Sequence, residues 1–347
     1  MMYPSGLFAI RYLLSAVLLA GCATTTGSPP VDQEELRQAQ QFYEVKAKRH
    51  IYSQAIRVRT VGERLLAVVP QEVRLKDSLP SIGILLDDLT AVSGRVFGIP
   101  AEGKVSRACL IAGVVPGSPA DLAGIRPGDL ILKVGARETP STRQAVAGLS
   151  RLKPGASVSL ALERDGLPFE RRLEVGAKPY PVAFNIAEDP SVNAFATPGQ
   201  ITVTTGLLRF VNSDDELSVV MGHELAHLTQ GHYVKRIGPG LIAGTIGVLT
   251  GTAVDILLPG AGDVISQAAA APFSKDFERE ADTIGLLYTY LAGYRIEASL
   301  DFWDRFATEM PGAASKSFFS THPTSPERLL RLQKTINEIK GKASASS

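Results

Sequence analysis

The chain has 347 residues, 45% of them hydrophobic, with 36 Lys and Arg against 35 Asp and Glu for a net charge of +1. That length leaves room for two domains, and that apolar content supplies a core for each. The balanced charge, with no basic stripe interleaved with aromatics, argues against a nucleic-acid partner.

At the start of the chain, Arg11 precedes the apolar run Tyr12 to Leu19, and Leu19-Ala20-Gly21-Cys22 follows. These residues resemble the lipobox of bacterial lipoproteins. The resemblance implies that residues 1–21 are a removable signal peptide and that Cys22 is acylated as the new terminus. The apolar run is too short for a spanning helix. Ala23 stands where an inner-membrane retention signal places Asp, so the same resemblance points to the outer membrane, facing the periplasm. Cys109 then remains as the single thiol, and no intrachain disulfide is expected. Thr24 to Pro30 is small, polar and turn-forming, a tether within the segment 22–44. Residues 33 to 69 are predicted helical and end in Val61-Gly62-Glu63-Arg64-Leu65-Leu66.

Residues 72–178 have their own grammar. Val114-Val115-Pro116-Gly117-Ser118-Pro119-Ala120-Asp121-Leu122-Ala123-Gly124-Ile125-Arg126-Pro127-Gly128-Asp129-Leu130-Ile131 sets Gly and Pro turns around a short helix, with a strand from Asp129 to Val134. A second helix from Ser141 to Leu152 and a strand pair around Gly166 complete the unit. This segment resembles a PDZ domain, a small β-sandwich or barrel-like fold. The resemblance makes Ser81, Ile82, Gly83 and Ile84 the loop whose backbone amides would receive a peptide C-terminal carboxylate; the alternative is a spacer with a blocked groove.

Beyond Pro181, Ile201 to Thr205 alternates β-branched and polar residues after a Pro-Gly turn and reads as a strand at a sheet edge. An extended substrate would pair with it, which makes Asn193, Ile201, Thr202, Val203 and Thr204 candidate substrate-binding residues. Ser213-Asp214-Asp215-Glu216 is a capping box that opens a helix, and Leu217, Val220, Met221, Leu225 and Leu228 give that helix an apolar face. On it lies His223-Glu224-Leu225-Ala226-His227. Histidines four apart sit about 40° apart around the axis and roughly 6 Å along it, so one divalent ion reaches both. Glu224 is placed to take a proton from water at such an ion. Imidazoles buried on an apolar face without partners would be costly, and a metal offsets that cost. His232 falls half a turn off this face.

The stretch 238–272 is rich in Gly and Ala, too broken by Pro239, Asp255, Pro259 and Asp263 to span a membrane. It is read as two short helices that cover the site or touch the membrane surface, with buried core helices as the alternative. A third ligand is still required. It is sought in Phe277-Glu278-Arg279-Glu280-Ala281-Asp282, where Glu278 and Asp282 share a helix face, so that one binds metal and the other steadies a ligand histidine. Glu280 points elsewhere and reads as a solvated charge.

Together with Asp189-Pro190-Ser191-Val192-Asn193-Ala194-Phe195-Ala196 and with Thr321-His322-Pro323 followed by Pro326-Glu327-Arg328, these stretches resemble the M48 zinc peptidases, relatives of the HtpX heat-shock and CAAX-processing proteases that include periplasmic quality-control lipoproteins. The resemblance covers residues 45–71 and 179–338. It implies an α+β architecture: a mainly helical gluzincin-type peptidase domain (45–71 plus 179–340) with a small edge-stranded sheet, interrupted by the PDZ insertion and followed by a flexible tail, 341–347. It also implies one zinc ion per chain held by His223, His227 and Glu278, with Asp282 as the outer partner. His322 becomes a fourth ligand or an oxyanion helper, against the plain reading of a loop histidine capping a helix. The expected function is a zinc metalloendopeptidase of the cell envelope acting on misfolded or unassembled envelope proteins, the insertion docking the C-termini of substrates or regulators. The alternative is an assembly factor for outer-membrane proteins with latent protease activity. An intact Glu224 favours the enzyme, since a structural metal site has no need of a base.

Overall fold

The computed structural model describes residues 31–74, 78–100, 109–197, 199–237, 273–309, 322 and 325–345. Residues 1–30, which hold the expected leader, Cys22 and the expected tether, the stretch 238–272, and Thr321 and Pro323 lie outside the described residues. Two units are present, Met1–Gln40 and Gln41–Ser347. In the first, the Asp32 carboxylate accepts from the Glu34 amide at 3.1 Å, capping helix α1 (Gln33–Ala67). Among the described residues no helix is long and apolar enough to cross a membrane.

In the second unit the inserted segment forms β1 (Leu79–Ser81), β2 (Ile84–Asp88), α2 (Ala91–Phe97), β3 (Cys109–Val114), α3 (Pro119–Leu122), β4 (Leu130–Val134), β5 (Arg137–Glu138), α4 (Thr142–Leu149), β6 (Ser157–Arg164), β7 (Leu167–Glu174) and β8 (Gly176–Lys178). Antiparallel pairing gives an open sheet in the order β2-β3-β4-β6-β7, with β5 beside β4, while β1 and β8 pair separately and bring the two ends of the segment together. Alternation along β6 turns Val158, Leu160 and Leu162 inward onto Ala145, Val146 and Leu149 of α4. The opposite face of β2 and β3 rests on α1, where Tyr52, Ala55 and Ile56 meet Leu85 and Ala112. Helix α1 is therefore a wall shared by both halves, since Val58, Val61 and Leu65 belong to the other core.

That other core is built from β9 (Ala183–Ala187), β10 (Ala194–Thr197), β11 (Gln200–Thr204), α5 (Thr205–Phe210), α6 (Asp214–Thr229), α7 (His232–Ile237), α8 (Lys275–Leu291), α9 (Ala298–Glu309) and α10 (Pro326–Ala345). The architecture is α+β, and among the described strands no sheet closes into a barrel. One expectation is overturned. Strand β11 is central, parallel to β9 and antiparallel to β10, so the outer strands are β10 and β9. The threonines of β11 look like solvent-facing residues in the sequence, yet Thr202 and Thr204 are buried. The Thr204 hydroxyl donates to Ser191 O at 2.6 Å and accepts from the amides of Asn193 and Leu207, so its polarity is absorbed locally.

Helix α6 runs through the middle of this half with nearly all its side chains buried. It crosses α8 at a point where glycines face each other: a Cβ on Gly285 would lie 2.7 Å from His223 N, and one on Gly222 2.8 Å from Gly285 O. Only hydrogen at these positions lets the two backbones touch. That contact carries the acidic residues of α8 up to the histidines of α6.

Candidate metal centre

The site is assembled on the N-terminal part of α8 and the C-terminal half of α6. Helix α6 starts where expected: Ser213 Oγ accepts from the Glu216 amide at 3.2 Å. The Glu216 carboxylate reaches back one residue further than a capping box requires, to Asn212 N at 2.8 Å, and binds Arg305 of α9 at 2.6 Å. Asp214 and Asp215 sit in the first turn, favoured by the helix dipole and paired with Arg57 and Arg295. Three ion pairs thus fix the start of the helix whose last two turns carry the histidines.

From those turns His223 and His227 project with their Nε2 atoms 3.1 Å apart. The Glu278 carboxylate lies 3.5 Å from His223 Nε2 and 3.4 Å from His227 Nε2. His322 completes the cluster, with Nδ1 3.1 Å from His223 Nε2 and 2.8 Å from Glu278 Oε1. The donor atoms of these four buried residues all lie within 4.8 Å of one another. Glu224 stands beside them, fully buried. Its Oε2 accepts the Ala196 amide of β10 at 2.8 Å, and its Oε1 lies 3.2 Å from His322 Nε2. Burial pushes this carboxyl up, but the imidazole of His322 and those of His223 and His227 outweigh it and hold Glu224 below its ordinary range, in the form that accepts a proton.

Both α6 histidines are backed on the far nitrogen. His223 Nδ1 lies 3.0 Å from Asp282 Oδ1, and Asp282 is gripped by the Arg328 guanidinium at 2.6 and 2.9 Å. Arg328 in turn lies over the Trp303 ring, 3.8 Å from its centroid. His227 Nδ1 lies 3.0 Å from His232 Nδ1, and His232 Nε2 lies 3.1 Å from Glu280 Oε2. The chemistry of this chain orders its protons. Glu280 accepts only, so His232 carries its proton on Nε2 and offers Nδ1 as an acceptor; His227 then donates from Nδ1 and keeps a lone pair on Nε2. Two imidazole lone pairs and a buried carboxylate thus converge on one point. Burial alone lowers His223, yet Asp282 and Glu278 outweigh it and raise it to about 9, while burial holds His227 down at about 3. A set that draws a proton so strongly fits a divalent cation, which would be held by His223, His227 and Glu278, with His322 within reach.

Sequence reasoning missed the pair His232 and Glu280, and missed Arg328 as the clamp on Asp282. On a continued helix His232 would face away, but α6 stops: Gly231 takes φ +64, and His232 opens α7 and comes back alongside His227. The Gln230-Gly231 step was the available signal, glycine being the common helix terminator. Among the proposed substrate residues, Asn193 precedes β10, but Ile201, Thr202, Val203 and Thr204 lie on the central strand with both neighbours taken. Ser81, Ile82, Gly83 and Ile84 lead into β2 and, with Leu149 and Leu152, line a cleft far along the chain from the metal residues.

A buried set of groups that could hold a metal, with a carboxylate on the same helical turn, beside a strand that has a single strand partner among the described residues, fits the centre of a metallopeptidase fold. The chain belongs to peptidase family M48: that family's model matches residues 160–336, and a PDZ domain model matches residues 110–164. The mitochondrial metalloendopeptidase OMA1 of Schizosaccharomyces pombe is 29% identical over 164 residues, covering 47% of this chain and 49% of that protein. The beta-barrel assembly-enhancing protease of Yersinia pestis is 26% identical over 179 residues, covering 48% of this chain and 37% of that protein. The HtrA-type protease AlgW with decapeptide, a solved structure, is 27% identical over 30% of this chain and 31% of that one, with a TM-score of 0.27. The match spans about half or less of the length of these curated relatives.

Proposed function

We propose that the protein is a zinc metalloendopeptidase of the bacterial envelope, lipid-anchored at Cys22, that cleaves misfolded or unassembled envelope proteins. The observation that carries the reading is Glu224: a fully buried carboxylate, steadied by the Ala196 amide, standing at the edge of the ligand cluster. Zinc held there would supply Lewis acidity, polarising a carbonyl and acidifying water. Glu224 takes the proton from the attacking water and returns it to the leaving amine. An extended peptide lies along the side of β10 that has no strand partner among the described residues, the side from which the Ala196 amide donates to Glu224; this replaces β11 as the pairing strand. His322 occupies the space between base and ligands and closes the site at rest, so substrate entry requires it to move. The inserted domain docks C-termini at Ser81–Ile84 and raises the local concentration of substrate. The barrel-assembly name of the Yersinia pestis relative supports the envelope assignment.

The test is cleavage of unfolded envelope proteins by the purified chain with and without chelator, alongside Glu224→Gln. Chelation abolishes cleavage. The Gln variant keeps one zinc per chain while its rate falls by about 10²- to 10⁴-fold, because the amide accepts no proton. Retained cleavage in that variant, or zinc lost with it, refutes the assignment.

A further inference from the structure

We propose that Phe42 and Tyr43 of helix α1 form a lipid-contact site: the two rings sit among the headgroups of the membrane that holds the anchored chain, and so set which side of the molecule faces the bilayer. The inference rests on the anchoring at Cys22 proposed above and names the surface that the anchored chain turns to lipid.

The first buried residue of α1 is Tyr52, and the side chains before it are lightly packed or open. Phe42 and Tyr43 are 63% and 64% exposed and meet edge to face, with centroids 5.4 Å apart and ring planes at 76°. In the same stretch Val45, Tyr52 and Ala55 turn toward the inserted segment. Tyr43 is two residues from Val45, about 200° around the helix axis, so it points away from that contact. Lys46, Ala47 and His50 follow on the same side one and two turns later, and all are exposed, as is Arg49 beside them. The outer side of the helix thus presents an aromatic pair followed by cations.

Two adjoining rings in water are a cost that a less polar surrounding removes. A protein partner fits them poorly: each ring buries at most about 250 Å², so the pair supplies roughly 500 Å², short of the ~800 Å² per partner of a stable interface. A bilayer surface needs no such area, because the anchor already holds the chain there and a weak contact is enough to orient it. The position in the sequence agrees. Ten residues, Ala23 to Asp32, separate Cys22 from the start of α1. That span reaches at most roughly 40 Å. The chemistry agrees as well: aromatic rings enter the headgroup layer while the tyrosine hydroxyl stays wet, and lysine and arginine attract lipid phosphates. The occupant is therefore a phospholipid surface with anionic headgroups.

The experiment uses the acylated chain reconstituted on vesicles of phosphatidylethanolamine and phosphatidylglycerol. Tyr43→Trp places a fluorescent ring at the site. Leu167→Trp places one at a position 72% exposed on β7, the strand of its sheet farthest from β2 and β3, which rest on α1. The parent emission, from the single and buried Trp303, is subtracted. On vesicles the Tyr43→Trp emission shifts to the blue and is quenched by phospholipids brominated on the acyl chains, Leu167→Trp does neither, and adding Phe42→Ser to Tyr43→Trp lessens the quenching. A chain that floats with the vesicles while its Tyr43→Trp emission stays unchanged overturns the inference and leaves the anchor standing. Equal quenching at the two positions overturns it too, since the molecule then has no preferred side. A blue shift that grows with protein concentration in the absence of vesicles overturns it in favour of a second copy of the chain. Failure of the chain to float overturns both the inference and the anchor.

Discussion

Replacing His232 with phenylalanine removes the acceptor behind His227 while keeping a flat ring against Phe277, on which His232 stacks with centroids 4.3 Å apart. Burial holds His232 below its ordinary pKa against the pull of Glu280, so it is a neutral acceptor in the folded chain. In the variant the Nδ1–H of His227, itself wholly buried, loses its partner at 3.0 Å. An unsatisfied buried donor costs about 1–3 kcal/mol, and the cost falls on the tautomer that binds metal, so zinc affinity drops by roughly 10- to 100-fold. Competition with a chelating dye measures that constant directly, and thermal melting of the metal-free chain shows whether the variant is folded. Glu280→Ala weakens zinc less, because the Glu280 side chain is 42% exposed and water replaces it as acceptor. A folded His232→Phe chain with parental zinc affinity refutes the proton ordering described for this chain of residues.

Gly285→Ala places a Cβ 2.7 Å from His223 N, forcing α6 and α8 apart at a cost of about 1–3 kcal/mol; an unchanged melting temperature contradicts the backbone contact. His322→Ala raises basal proteolysis if the imidazole closes the site at rest, and a fall in rate assigns it to catalysis instead. Cys109 is buried and its thiol is pushed up to about 12 by burial, from an ordinary 9.0. In a Cys22→Ser chain at pH 8, iodoacetamide therefore labels it about a thousandfold more slowly than after denaturation, and equal rates refute the burial.

Much of the candidate metal site was legible because its parts are local periodicities. His223 and His227 share a face through the helical repeat alone, as do Glu278 and Asp282, and Ser213 announces the helix start through a bond spanning three residues. The PDZ segment was legible for the same reason, since its turns are written in Gly and Pro.

What escaped the sequence depends on pairs far apart in the chain. The position of β11 between β9 and β10 follows from which strands it meets, and its buried threonines read like those of an exposed edge because the groups that satisfy them come from the turn before β10. His232 faces His227 because Gly231 ends one helix and lets the next begin, a change of direction that no helical wheel contains. Arg328 reaches Asp282, and Arg59 reaches Ile84 O, only after α10 and α1 have docked on their neighbours. Residue spacing determines which side chains share one element; which elements touch is decided by core packing, whose apolar contacts carry no directional label in the sequence.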